Sequence, residues 1–163
     1  MEHSGKGAII TGGGGGIGRS IALALAREGA SVTVADLNGD AARAVAREIT
    51  EGGGDALAIQ TDVAEKTSVE RMSQETLESF GAIDILVNNA GVQHVSPLVD
   101  FPESQWHVLI EVILSGTFFC TQSALRWMIP QRQGRIINIA STYGRIGAKY
   151  KSAYCAAKHG VIG

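Results

Sequence analysis

Three residues in the second half of the chain have types and a spacing suited to moving a proton. Ser141 closes an apolar run, Tyr154 follows thirteen residues later, and Lys158 lies four residues beyond the tyrosine. Residues four apart share one helix face. A free phenol has a pKa of about 10, and an ammonium one turn away favours the phenolate, which brings acid–base work near neutral pH within reach. A Tyr-x-x-x-Lys pair also arises by chance on many helix surfaces. This one gains weight from a second feature, Thr11-Gly12-Gly13-Gly14-Gly15-Gly16-Ile17-Gly18, set between the apolar run Ala8-Ile9-Ile10 and the helical pattern Ile21 to Ala26. Strand, glycine turn and helix in that order present bare N–H groups to a pyrophosphate, with Gly12, Gly16, Ile17 and Gly18 as the candidate contacts. A flexible glycine linker is the bland alternative, but a linker has no reason to join a buried strand to an amphipathic helix. Eighteen residues past Gly18, Asp36 ends the β-branched run Ser31 to Asp36. At that distance a carboxylate accepts hydrogen bonds from ribose hydroxyls and repels a 2′-phosphate, so NAD is expected over NADP. Leu37 follows it, where a phosphate would call for Arg or Lys.

The elements that must position these groups alternate. A helix is expected over 41–50 with Ala42, Val45, Ala46 and Ile49 on one face, a strand over 56–61, and a helix over 67–80 with Val69, Met72 or Ser73, and Leu77 inward. A fourth strand is expected over 83–87, and Asn88-Asn89-Ala90-Gly91 follows it at the carboxyl edge of the sheet, where such folds bind ligands. The longest helix is expected from Phe101-Pro102-Glu103 to Met128, apolar over much of its surface, and a fifth strand over 134–140. A sixth element begins near Ser152. Alternating strands and helices imply an α/β, doubly wound parallel sheet of Rossmann type, with order 3-2-1-4-5 in a single domain over 1–163.

The chain has 163 residues, 45% of them hydrophobic and 18% charged, with a formal net charge of −2. That balance makes no electrostatic case for nucleic acid or an anionic membrane. No stretch is read as nearing a membrane span, and no secretory apolar segment precedes the first strand, so a cytoplasmic protein is expected. Cys120 and Cys155 are too few for a disulfide framework and lack zinc-type spacing; both are read as reduced, and no metal site is expected. The broad apolar surface of the long helix suggests burial by the sheet on one side and by another subunit on the other, hence a homo-oligomer.

From Lys6 onward the chain resembles the short-chain dehydrogenase/reductase family: Thr11-Gly12 through Gly16-Ile17-Gly18, Asp62-Val63, Asn88-Asn89-Ala90-Gly91, Ser141, Tyr154 and Lys158 stand in its order and spacing. The resemblance implies that Asp62 and Val63 hold the adenine, with Asn89, Ala90 and Gly91 at the cofactor. It makes Tyr154 the acid/base and Ser141 the group orienting the substrate oxygen. Lys158 then binds the nicotinamide ribose and lowers the tyrosine's pKa, while hydride passes between substrate and nicotinamide. Ala90 to Pro97 and Lys151-Ser152-Ala153-Tyr154 are similar to the hydroxybutyrate-oxidising members, in which a glutamine and a lysine grip the substrate carboxylate; here these are Gln93 and Lys151. The substrate implied is a small hydroxy acid, 3-hydroxybutyrate or its ketone acetoacetate. A 3-oxoacyl thioester or sugar reductase is the nearest alternative.

Three departures accompany the resemblance. Ile113 stands where the family has an asparagine that supports a kink and a relay water. Tyr143 stands where the hydroxybutyrate group has a histidine two residues after the serine. The sequence is also read as lacking the last strand or strands and the substrate loop, a truncation that keeps a non-catalytic, cofactor-binding fragment as a third reading.

Overall fold

The computed structural model describes residues 1–163. Its strands are β1 (Gly7–Thr11), β2 (Ser31–Asp36), β3 (Asp55–Gln60), β4 (Ile85–Asn88) and β5 (Arg135–Asn138). They form one parallel sheet of order β3-β2-β1-β4-β5, as expected. Alternation along the central strands sends Ala8, Ile10, Val32 and Val34 to one face, under α1 (Gly16–Arg27) and α2 (Gly39–Glu51). Ile9, Ala35 and Leu86 go to the other, under α3 (Lys66–Phe80) and α5 (Gly116–Met128). A strand covered on both faces must be apolar on both, which is why these runs do not alternate with polar residues. All four inward residues expected on α2 are buried, and its N-cap Asn38 accepts hydrogen bonds from the Asp40 and Ala41 amides at 3.1 Å. On α3 both Met72 and Ser73 are buried, Ser73 accepting a hydrogen bond from the Ser123 hydroxyl at 2.8 Å.

Two boundaries shift for a visible reason. β4 starts at Ile85 because Asp84, which the sequence places inside that strand, serves as a buried anchor. Its carboxylate accepts hydrogen bonds from the Gly7 amide at 3.1 Å, Lys6 Nζ at 3.2 Å and Gln133 Nε2 at 3.3 Å. β5 is confined to 135–138 at the sheet edge, paired on one side only, with Ile137 46% exposed.

The long helix carries two corrections. It is α-helical over α4 (Glu103–Leu109), widens to a π-helix over Ile110–Ser115, and returns to α-helix in α5. At 26 residues, with a mean hydropathy of 1.6 in its most apolar window, it is long and apolar enough to cross a membrane, contrary to the expectation that no stretch nears a span. Its apolar character has an internal use: Leu109, Ile113, Cys120, Ala124 and Met128 are buried against the sheet and the last helix, α6 (Ser152–Ile162).

Candidate active site

The glycine turn is shaped by contacts that allow no side chain. Gly12 has φ +62°, and a Cβ on it would lie 3.0 Å from the Ala90 Cα; a Cβ on Gly18 would collide with the Gly12 carbonyl oxygen. The turn ends at Gly15, the N-cap of α1, and no side chain caps that helix. The first-turn N–H groups, including those of Gly16, Ile17 and Gly18, are thus left to an external acceptor, with the helix dipole favouring an anion. The second wall comes from the end of β4. Asn89 Nδ2 donates to the Thr11 carbonyl at 3.0 Å and the Gly12 carbonyl at 3.1 Å, while the buried Thr11 hydroxyl accepts from the Asn89 and Ala90 amides, both at 3.1 Å, and donates to the Val87 carbonyl. The two strand ends are therefore stitched together through side chains.

Asp36 is tied to the same turn. One carboxylate oxygen accepts from the Gly14 amide at 2.9 Å and the other from the Asn38 amide at 2.9 Å. Gly12, Asp36, Asp62, Val63, Ala90 and Gly91 line one cleft of about 410 Å³, so residues from four separate strand ends converge there. Asp62 is held by its own turn, its carboxylate accepting from the Ala64 amide at 2.9 Å and its amide donating to the Ser68 hydroxyl. Leu37, the position where a 2′-phosphate would call for Arg or Lys, also lines the cleft, and the sequence reading missed Asn38, Thr61, Val92 and Val112 on its wall. The first three are close chain neighbours of residues it named. Val112 has no local signal, because only helix packing brings it there.

At the other end of the site, Ser141 is the N-cap of a short turn, Thr142–Gly144, and its hydroxyl accepts from the Tyr143 amide at 3.2 Å. Gly144 is buried against α6, where a Cβ would press on the Lys158 carbonyl. Tyr154 and Lys158 share a face of α6, with Lys158 Nζ 5.8 Å from the Tyr154 ring centroid. Lys158 is 5% exposed and donates to the Ile139 carbonyl, just past β5, at 2.6 Å. Burial pulls its pKa below the ordinary value of 10.5. Behind this pair, Ala153 and Ala157 pack on Leu109 and Ile113 of the long helix.

The remaining candidates sit on two loops. Gln93 is exposed in the segment after Gly91, and Lys151 is half-buried with its Nζ 4.8 Å from the centre of the Tyr143 ring. Those loops are joined by one backbone bond, from the Ser96 amide to the Tyr150 carbonyl at 3.0 Å. His94 stands edge-on to Phe101 at 5.3 Å, a packing contact. No cluster of His, Cys, Asp and Glu is gathered to hold a metal ion.

A family model described as short chain dehydrogenase matches residues 6–163. The chain belongs to the short chain dehydrogenase family. Among its relatives, an oxidoreductase of Bacillus subtilis, YxjF, is 47% identical over 156 residues, which cover 96% of this chain and 61% of that protein. Sorbitol dehydrogenase of Cereibacter sphaeroides is 45% identical, with 99% and 62% covered. D-beta-hydroxybutyrate dehydrogenase of Cupriavidus necator is 43% identical, with 98% and 62% covered. The chain spans about three fifths of the length of these relatives. Family members use nicotinamide dinucleotides, and the uncapped helix, the turn without side chains and the anchored carboxylate beside a cleft fit such a group. For a short chain dehydrogenase, Ile113 is the informative departure. The helix distortion persists with an aliphatic residue at its centre, so an asparagine side chain is not required to produce it.

Proposed function

We propose that this chain carries the cofactor-binding and catalytic parts of an NAD-dependent oxidoreductase of a small hydroxy acid, with 3-hydroxybutyrate and acetoacetate as the substrate pair. The observation that carries the reading is the placement of Tyr154 beside the buried Lys158, whose Nζ is anchored to the Ile139 carbonyl just past β5, at the same carboxyl edge of the parallel sheet at which β1 to β4 end in the cleft. A nicotinamide dinucleotide held by the glycine turn, Asp36 and the Asn89 to Gly91 wall would supply the hydride acceptor for the alcohol and the hydride donor for the ketone. The chain's own residues handle the rest. Tyr154 takes the hydroxyl proton during oxidation and gives it back during reduction. Lys158 sets its ammonium 5.8 Å from the centre of the Tyr154 ring, held there by the Ile139 carbonyl. Ser141, whose backbone is fixed by the turn it caps, orients the substrate oxygen. Asp36, facing the cleft as an anion, supports NAD over NADP, since a 2′-phosphate there meets like charge.

The test is absorbance at the NADH band with the purified protein, NAD and D-3-hydroxybutyrate. A rise that Tyr154→Phe abolishes is expected; a flat trace alongside tight NAD binding would favour the non-catalytic reading, and preference for NADP would contradict the role of Asp36. A polyol is the second reading, favoured by the identity to sorbitol dehydrogenase, and the same assay with sorbitol separates the two. We also propose a homo-oligomer through the long helix, supported by Phe118 at 58% and Ile129 at 66% exposure beside Trp127 at 42%. A monodisperse monomer in light scattering would refute it. The two free thiols support a cytoplasmic setting.

A further inference from the structure

The net charge of −2 conceals a division along the chain. All 16 acidic residues lie at or before Glu111, whereas Arg126, Arg132, Arg135, Arg145, Lys149, Lys151 and Lys158 lie beyond it. The loop that leads into α6 and bears Lys151 is therefore cationic, with Arg145 and Lys149 beside it, and no carboxylate lies within ion-pair distance of Lys151, Lys149 or Arg145. An unpaired lysine ammonium ordinarily samples many rotamers, which makes it a poor grip. Here the partner is a ring: Lys151 Nζ sits 4.8 Å from the centre of Tyr143. Tyr143 is in turn held by its amide, which donates to the Ser141 hydroxyl, and by a turn packed on α6. On the other side, Tyr150 adopts φ +66°, a conformation that a non-glycine residue keeps only when its surroundings hold it there. Its carbonyl accepts from the Ser96 amide, in the loop that bears Gln93.

A carboxylate partner would orient Lys151 but cancel its charge. A neutral aromatic face orients the ammonium and leaves its charge whole. We propose that Tyr143 is a positioning residue for Lys151, its ring presenting an un-neutralised ammonium to the carboxylate of a small monocarboxylate substrate. The inference rests on the hydroxy-acid reading above and deepens it: Tyr143 serves here as the orienting wall of the anion grip.

The experiment compares Tyr143→Phe, which keeps the ring, with Tyr143→Leu, which removes it. Steady-state kinetics with D-3-hydroxybutyrate are set beside a proton NMR measurement of the Lys151 ε-methylene. Tyr143→Leu is expected to raise KM for the acid about two- to fivefold, the size of a partly exposed cation–π contact. Its kcat and its KM for NAD are expected to stay as in the wild type, and Tyr143→Phe to retain the wild-type KM. The ε-methylene is expected upfield in the wild type and Tyr143→Phe and at its ordinary position in Tyr143→Leu. In a Lys151→Ala background, Tyr143→Leu is expected to have no further effect on KM. An unshifted ε-methylene in the wild type, a KM indifferent to Tyr143→Leu, or equal losses in the Phe and Leu variants would each overturn the positioning role. A wild type that oxidises neutral alcohols but no hydroxy acid would instead defeat the substrate reading itself, and the proposal with it.

Discussion

Replacing Thr11 by valine keeps its shape and removes one hydroxyl, and the consequences can be worked out bond by bond. Thr11 is 1% exposed, and its oxygen accepts from two amides, Asn89 and Ala90, while donating to the Val87 carbonyl at 3.3 Å. Valine leaves both amides without an acceptor. An orphaned buried N–H costs about 1–3 kcal/mol; these two are partly reachable by water, so the lower half of that range applies to each. The longer bond to Val87 adds little, and a total of about 2–4 kcal/mol results. For a domain of this size about 1 kcal/mol moves Tm by roughly 2–4 °C, so a fall of roughly 4–16 °C is expected. Thr11→Ser keeps the hydroxyl and gives up one methyl, about 1 kcal/mol. Thermal unfolding followed by Trp106 and Trp127 fluorescence measures both, and NADH titration reads the site. The valine variant should also bind NADH more weakly, because the Thr11 oxygen holds the Asn89–Ala90 wall against the glycine turn. A valine variant melting within 2 °C of wild type, or a serine variant falling as far as valine, would refute the reasoning.

Other variants test other parts. Because Lys158 has a folded pKa below its unfolded value, the unfolded chain holds the extra proton between the two, and stability rises with pH through that window up to about 10.5. Urea midpoints measured across alkaline pH should show this rise in wild type and lose it in Lys158→Met; identical slopes would contradict the burial. Cys120, 1% exposed and with its thiol pushed up to about 12 by burial, should resist a thiol reagent at pH 8 until the protein unfolds, leaving the half-buried Cys155 to react first. Fast modification of both thiols in the native protein would show that the α5 packing is wrong. Ile113→Asn puts a carboxamide into a fully buried apolar cluster and should lower stability by about 1–3 kcal/mol. An unchanged urea midpoint would show that a polar partner, such as water, already waits at the π-helical segment.

Spacing within single elements made much of the cofactor side legible. The glycine turn directly follows β1, Asp36 ends β2 and the Asn88 to Gly91 run starts from the last residue of β4, and in a parallel sheet all strands end on the same side. Residues placed just after strands are thus neighbours in space whatever lies between them in sequence, and the cleft that they share follows from the strand order. The same logic put Tyr154 and Lys158 on one face, since helix periodicity is local.

What depended on packing between distant elements was not legible. The π-helical widening at Ile110–Ser115 is centred on the place where α6 packs on the long helix, and nothing in its run of Ile, Glu, Val, Ile, Leu and Ser departs from an α-helical pattern. The residue string is read as holding no stretch that nears a span, yet the long helix meets the length and composition of one; only the sheet and α6 reveal that its buried residues serve the core. Tyr143 and Lys151 are eight residues apart in an irregular stretch, where sequence distance predicts no contact. A turn fixed on α6 by a buried glycine and a tyrosine held in the left-handed region bring ring and ammonium together. Local periodicity and strand-end placement decided which groups reach the site; the packing of one helix on another decided how they face each other, because side-chain direction in loops and distorted helices is set by contacts that no short window of sequence contains.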